Sequence, residues 1–176
     1  MPRFANVSLK KYHLQVLLPL MASLFIYIFY RTDQTVVNEL VLRIFTFESY
    51  ATVKKQVQSL LPLNALLVYS LPEGLWVYST TLVSKELFIK FRQYRLEGNY
   101  FSLIFSFAVE ALQGLGLVKG TFDLFDIASA TFFWAIAMYW TNTPAYRGIP
   151  ILKTFDSRWA SCVFCFSIVY LSYIWY

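Results

Sequence analysis

Recurring apolar runs, each long enough or nearly long enough to cross a bilayer, constrain this chain more than any other feature. Tyr12 to Tyr30 is a predominantly apolar stretch of 19 residues, and about 20 such residues span the hydrocarbon core as a helix. Further runs follow at Leu60–Ser84, Asn99–Val118, Phe122–Trp140 and Trp159–Tyr176. Composition agrees: 58% of residues are hydrophobic, 20% are aromatic and only 14% are charged, against about 25% charged in soluble globular domains. The runs are continuous rather than alternating in polarity, which excludes a transmembrane barrel. The expected fold is all-α: one polytopic membrane domain over residues 1–176, with about five transmembrane helices and an amphipathic or re-entrant segment.

The first run ends in Phe25-Ile26-Tyr27-Ile28-Phe29-Tyr30-Arg31, bulky and aromatic, unlike the small-residue cleavage site of a signal peptide. An uncleaved first helix is expected, with Pro19 as its kink. Thr32 to Ser59 is the most polar part. Apolar residues at 36, 37, 40, 41, 44 and 47 keep helical spacing, which predicts an amphipathic helix on the membrane surface or a hairpin lid. Ser70-x-x-Glu73, with Pro72 in the first turn, has capping-box spacing. It predicts a helix from Ser70 to about Phe91, with Leu60–Tyr69 re-entrant or interfacial. The alternative is one kinked span from Leu61 to Val83. Lys85 to Glu97 reads as a basic connector.

Five spans fix an orientation. Arg3, Lys10, Lys11, Lys85, Lys90, Arg92, Arg95, Arg147, Lys153 and Arg158 fall on one side, ten basic residues against five on the other: Arg31, Arg43, Lys54, Lys55 and Lys119. The positive-inside rule then puts the N-terminus in the cytoplasm and the C-terminus outside. On this account the net charge of +5 belongs to cytoplasmic loops, and no nucleic-acid partner is expected. Cys162 and Cys165 form a CxxC pair, but a zinc site needs about four ligands and the only histidine is His13. The pair is read as helix packing, and no metal or cofactor is expected.

The chemistry-bearing residues cluster from Ser106 to Asp126. Glu110 and Gln113 share a helix face, and Asp123 and Asp126 open the following helix, where its dipole favours an acid. The topology places the intervening Lys119-Gly120-Thr121 turn outside, with Glu73 on the same side. Glu73, Glu110, Gln113, Asp123 and Asp126 are therefore expected to converge on one outward-facing acidic pocket. Plainer roles stand beside this one: helix caps for Glu73 and Asp123, interhelical hydrogen bonding for Gln113. Glu110 and Asp126 lie in apolar surroundings, where an ionisable side chain points to function. Two carboxylates so placed require a shared proton, Lys119, Gln113 or a bound cation to compensate them.

At these residues the chain resembles the VanZ-like family of bacterial membrane proteins. The resemblance rests on Glu110-Ala-Leu-Gln113, on Lys119-Gly120-Thr121-Phe122-Asp123 followed by Asp126, and on Leu71-Pro72-Glu73-Gly74-Leu75-Trp76. It covers Ser70 to Thr131, with Lys119 where an arginine is usual and Ala130-Thr131 in place of Asn-Thr. It implies a role in the bacterial cytoplasmic membrane and cell envelope, including reduced susceptibility to lipoglycopeptides. Three functions follow as expectations. The first is an envelope protein binding a lipid-linked or cell-surface glycan. The second is an accessory subunit of a larger membrane complex, with protein partners. The third is an intramembrane enzyme on a lipid-linked glycan. The third lacks usual catalytic parts: there is no G-x-S-x-G, GLGLVKG misses the P-loop spacing, and no catalytic residue is assigned.

Overall fold

The computed structural model describes residues 9–32, 35–85, 87–91, 93–141, 149–150, 160 and 163–168. Arg147, Lys153, Arg158, Cys162 and most of the fifth expected span lie outside the described residues. The described chain is mostly helical. α1 (Leu9–Tyr30) is followed by α2 (Val36–Ile44), α3 (Phe47–Leu60), α4 (Ala65–Tyr69) and α5 (Leu71–Ser84). After a β-hairpin come α6 (Phe101–Gly114) and α7 (Leu124–Ala135), the latter extended by a π-helical turn over Ile136–Trp140. Residues 163–168 are again helical.

α5 is the axis of the molecule, packed by α1, α6 and α7. Its sequence explains this position. Gly74 lets α7 approach so closely that a Cβ there would lie 2.3 Å from Phe133 Cδ2 and 2.4 Å from Ser129 Oγ. Small residues at helix interfaces permit such contact. Ser79, Thr80, Thr81 and Ser84 are fully buried on α5, and each hydroxyl is satisfied. Ser79 Oγ donates to the Val16 carbonyl of α1 at 3.0 Å, one turn before Pro19. The Thr81 and Ser102 hydroxyls meet at 2.6 Å between α5 and α6, while Thr80 and Ser84 bond back to Trp76 and Thr80 carbonyls. Around this polar spine Val16, Leu20, Trp76, Val77, Leu82, Ala130 and Ala137 form the apolar core. Trp76 also donates its indole N–H to the Cys165 carbonyl at 3.2 Å, holding the 163–168 helix in place.

α1 has 22 residues, roughly 33 Å at 1.5 Å per residue. Among the described residues it is the one helix long and apolar enough to cross a membrane; Leu124–Trp140 is apolar but shorter. The third expected span is cut short by its glycines. Gly116 takes φ +68°, Leu117 N–H reaches the Leu112 carbonyl and Gly116 N–H the Gln113 carbonyl, each at 2.9 Å. That pair of bonds is the Schellman ending of a helix.

Three expectations need correcting. The helix placed over Ser70–Phe91 stops at Ser84. Leu87–Phe91 (β1) pairs antiparallel with Tyr94–Glu97 (β2), and Ile149–Pro150 (β3) adds a short parallel strand, in the order β2-β1-β3. Leu-Phe-Ile-Lys-Phe is rich in strand-favouring residues, so the basic connector is a hairpin. Second, Ser70 is not a side-chain cap: its backbone is helical (φ −102°, ψ −27°), and no cap bond forms there. Asn64 caps this stretch instead, its Oδ1 accepting from Leu67 N–H at 2.9 Å. Ser70 therefore joins two almost continuous helices, close to the kinked alternative. Third, the polar segment holds two helices. Thr46, accepting from Ser49 N–H, restarts the chain after Phe45, so Phe47 belongs to the second.

The α2–α3 pair closes one end of the bundle. Tyr50, Lys54 and Gln58 line one face of α3, and their side chains donate to the carbonyls of Ile28 (2.6 Å), Arg31 (2.8 Å) and Phe29 (2.8 Å). The last carbonyls of a helix have no partner within it, so α3 serves as the C-terminal cap of α1. At the other end Lys85 Nζ does the same for α7, donating to the carbonyls of Ala137 (2.5 Å), Met138 (3.3 Å) and Thr141 (3.4 Å).

Candidate functional site

The up-and-down course of the helices brings four ends together: the C-termini of α1 and α6 and the N-termini of α5 and α7. Between them lies a cavity of about 710 Å³. Glu73, Glu110, Gln113, Asp123 and Asp126, the five residues singled out in the sequence, all line it. Tyr27, Arg31, Tyr69, Phe105, Lys119 and Phe166 complete much of the wall.

Each acid reaches the cavity for a local reason. Asp123 is the N-cap of α7, its Oδ1 accepting from Phe125 N–H at 2.8 Å, as a short acid preceding an apolar helix favours. Glu110, only 5% exposed, points across from α6 and accepts the N–H of Asp123 at 2.9 Å through Oε2. Two carboxylates thus serve the Asp123 and Phe125 N–H groups at one helix start. Gln113 donates to the Lys119 carbonyl at 3.3 Å and packs over Gly120, whose φ of +133° and missing Cβ leave room for its amide. The polar turn between α6 and α7 is therefore folded back onto α6.

Glu73 and Asp126 stand apart from this capping network. Glu73 sits in the first turn of α5 but caps nothing, and the Ser106 hydroxyl is directed at its carboxyl. Asp126 lies in the first turn of α7 with the Ser70 hydroxyl beside its carboxyl, and its Oδ1 is buried with no partner.

Sequence reasoning missed Arg31. In the sequence it only ends the first apolar run, yet its guanidinium lies 5.1 Å from the Tyr27 ring centre and 5.0 Å from that of Tyr69. Nη2 donates to the Tyr69 carbonyl at 3.1 Å, and Nε is buried without a partner. Arg31 faces Glu73 and Asp126 as their opposite charge. The available signal was Tyr27, one helical turn before Arg31, on the same face and suited to guanidinium stacking.

The site offers carboxylates, a clamped guanidinium and aromatic walls, a set suited to binding a polar or charged molecule. Among the described residues no three His, Cys, Asp or Glu side chains converge as metal ligands do. No family model matches the chain, and no curated protein or solved structure matches it.

Proposed function

We propose that the chain is a multi-pass membrane protein of the bacterial envelope, of VanZ-like type, whose cavity opens on the outer face and binds a polar cell-surface ligand. Reduced susceptibility to lipoglycopeptides is the cellular output this reading carries. The observation behind it is the convergence of Glu73, Glu110, Gln113, Asp123 and Asp126 with Arg31 at one end of an apolar helical bundle.

Membrane embedding is supported by what the helices turn outward. Leu14, Leu17, Leu18, Met21 and Phe25 on α1, Ile104, Phe107 and Leu112 on α6, and Leu124, Phe125 and Phe132 on α7 are all exposed. A soluble monomer rarely shows contiguous apolar surface on this scale. Tyr139 and Trp140, 82% and 84% exposed at the far end of α7, suit an aromatic belt at the headgroups. The polar spine of α5 packs by hydroxyls and small residues, as helices in lipid do.

The reading is tested in bacteria challenged with a lipoglycopeptide. Wild-type expression should lower susceptibility severalfold, and the Glu73→Gln, Asp126→Asn double variant, at equal membrane level, should return it to that of cells without the protein. A double variant as protective as wild type would remove the cavity from the function.

A further inference from the structure

Two of the four acids in the cavity accept no backbone N–H at a helix start. Glu110 and Asp123 are committed to the backbone N–H groups at the start of α7. Glu73 and Asp126 have no such bond. Opposite them is Arg31, fixed by two tyrosine rings and the Tyr69 carbonyl. No ion pair joins Arg31 to either acid. Opposite charges in water-poor surroundings attract strongly, yet here they share a cavity of about 710 Å³ without touching.

Two polar atoms left buried and unpaired lie at this cavity, Arg31 Nε and Asp126 Oδ1. The Ser106 hydroxyl, on a residue only 1% exposed, is directed at Glu73. Buried polar groups are nearly always hydrogen-bonded, so two orphans at one site need an explanation. They are a donor on the guanidinium side and an acceptor on the carboxylate side.

We propose that the cavity takes a zwitterion, a molecule with a primary ammonium and an anionic group a few bonds apart. The ammonium lies between Glu73 and Asp126. The anionic group meets Arg31 Nε, whose planar donors suit a carboxylate or phosphate. A neutral polyol would satisfy hydrogen bonds but leave the separated charges uncompensated. A divalent cation would find no converging ligand set among the described residues. The tyrosine and phenylalanine walls suit the ammonium carbon chain, and the cavity volume is that of a small-molecule site. A phospholipid headgroup and a soluble zwitterion share this chemistry. The inference rests on the reading of the cavity as a ligand site.

The test uses the full chain in nanodiscs of phosphatidylglycerol, which carries no amine, titrated with O-phosphoethanolamine, ethanolamine, ethyl phosphate and N-acetylglucosamine. O-Phosphoethanolamine should bind saturably, and ethanolamine and ethyl phosphate at least tenfold more weakly. Glu73→Gln and Arg31→Gln should each weaken binding at least tenfold. Asp126→Asn repeats the test if either fails to give a monodisperse protein. In phosphatidylethanolamine nanodiscs, loss of the soluble probe's binding by competition identifies a lipid headgroup as the natural occupant, and unchanged binding identifies a soluble one. Ethanolamine or ethyl phosphate binding as well as the whole zwitterion would overturn the proposal. Binding of N-acetylglucosamine alone would also overturn it but leave the ligand cavity standing. No binding of any probe in either membrane would remove both.

Discussion

Glu110 should prove to hold the fold together, whereas Glu73 should not, although both line the same cavity. The Glu110 carboxylate is 5% exposed and receives the Asp123 N–H at 2.9 Å. Glu110→Leu removes that acceptor and leaves a buried donor unpaired, a cost of about 1–3 kcal/mol. It also removes an anion from the start of α7, worth roughly 0.3–1 kcal/mol. The total is about 1–4 kcal/mol. Glu110→Gln keeps an oxygen in reach, exchanging a charge-assisted bond for a neutral one, and should cost only about 1 kcal/mol. Glu73→Gln removes a carboxylate that caps no helix and should leave stability unchanged or raised, because an unpaired charge is costly to bury. Thermal unfolding followed by tryptophan fluorescence in nanodiscs reads all three. For a domain of this size 1 kcal/mol moves the midpoint by about 2–4 °C, so Glu110→Leu should fall by roughly 3–16 °C and Glu110→Gln by about 2–4 °C. Equal losses for Leu and Gln, or a Glu73→Gln loss as large as that of Glu110→Leu, would refute the division of the acids into capping and ligand-facing pairs.

Other substitutions test the scaffold. Gly74→Ala places a methyl against Phe133 and Ser129 and should destabilise by about 1–3 kcal/mol; adding Phe133→Leu should recover part of the loss in the same melting assay. Lys85→Met deprives the carbonyls of Ala137, Met138 and Thr141 of a shared donor and should cost about 1.5–3 kcal/mol, with faster amide exchange at the end of α7. Gln58→Ala leaves the Phe29 carbonyl without its side-chain donor and should cost about 1 kcal/mol, whereas alanine at exposed Lys55 should change nothing measurable.

What the sequence made legible follows from how local each signal is. α1 was plain from its long apolar run, and Asp123 from an acid preceding an apolar helix. The five cavity residues could be placed together because their positions near helix ends follow from span order alone. The end of α5 was not legible: Lys85 to Glu97 carries the dense charge of a connecting loop, and those charges hid the strand-favouring residues between them. Ser70 misled because a capping-box spacing says nothing about the helix that precedes it, and Asn64 had already supplied the cap. Arg31 and the α3 residues Tyr50, Lys54 and Gln58 were missed for one shared reason. Their partners are backbone carbonyls and rings brought near only by tertiary packing, so no local pattern marks them.

The most direct measurement of the central claim, a ligand cavity on the outer end of a membrane-embedded bundle, is cysteine accessibility in intact bacteria. Lys119→Cys places a thiol on the cavity rim, and Tyr94→Cys places one in the exposed hairpin at the opposite end. A membrane-impermeant maleimide should label Lys119→Cys in intact cells and Tyr94→Cys only after lysis, both above the background of the unsubstituted chain. The reverse pattern, or equal labelling of both positions in intact cells, would contradict the account.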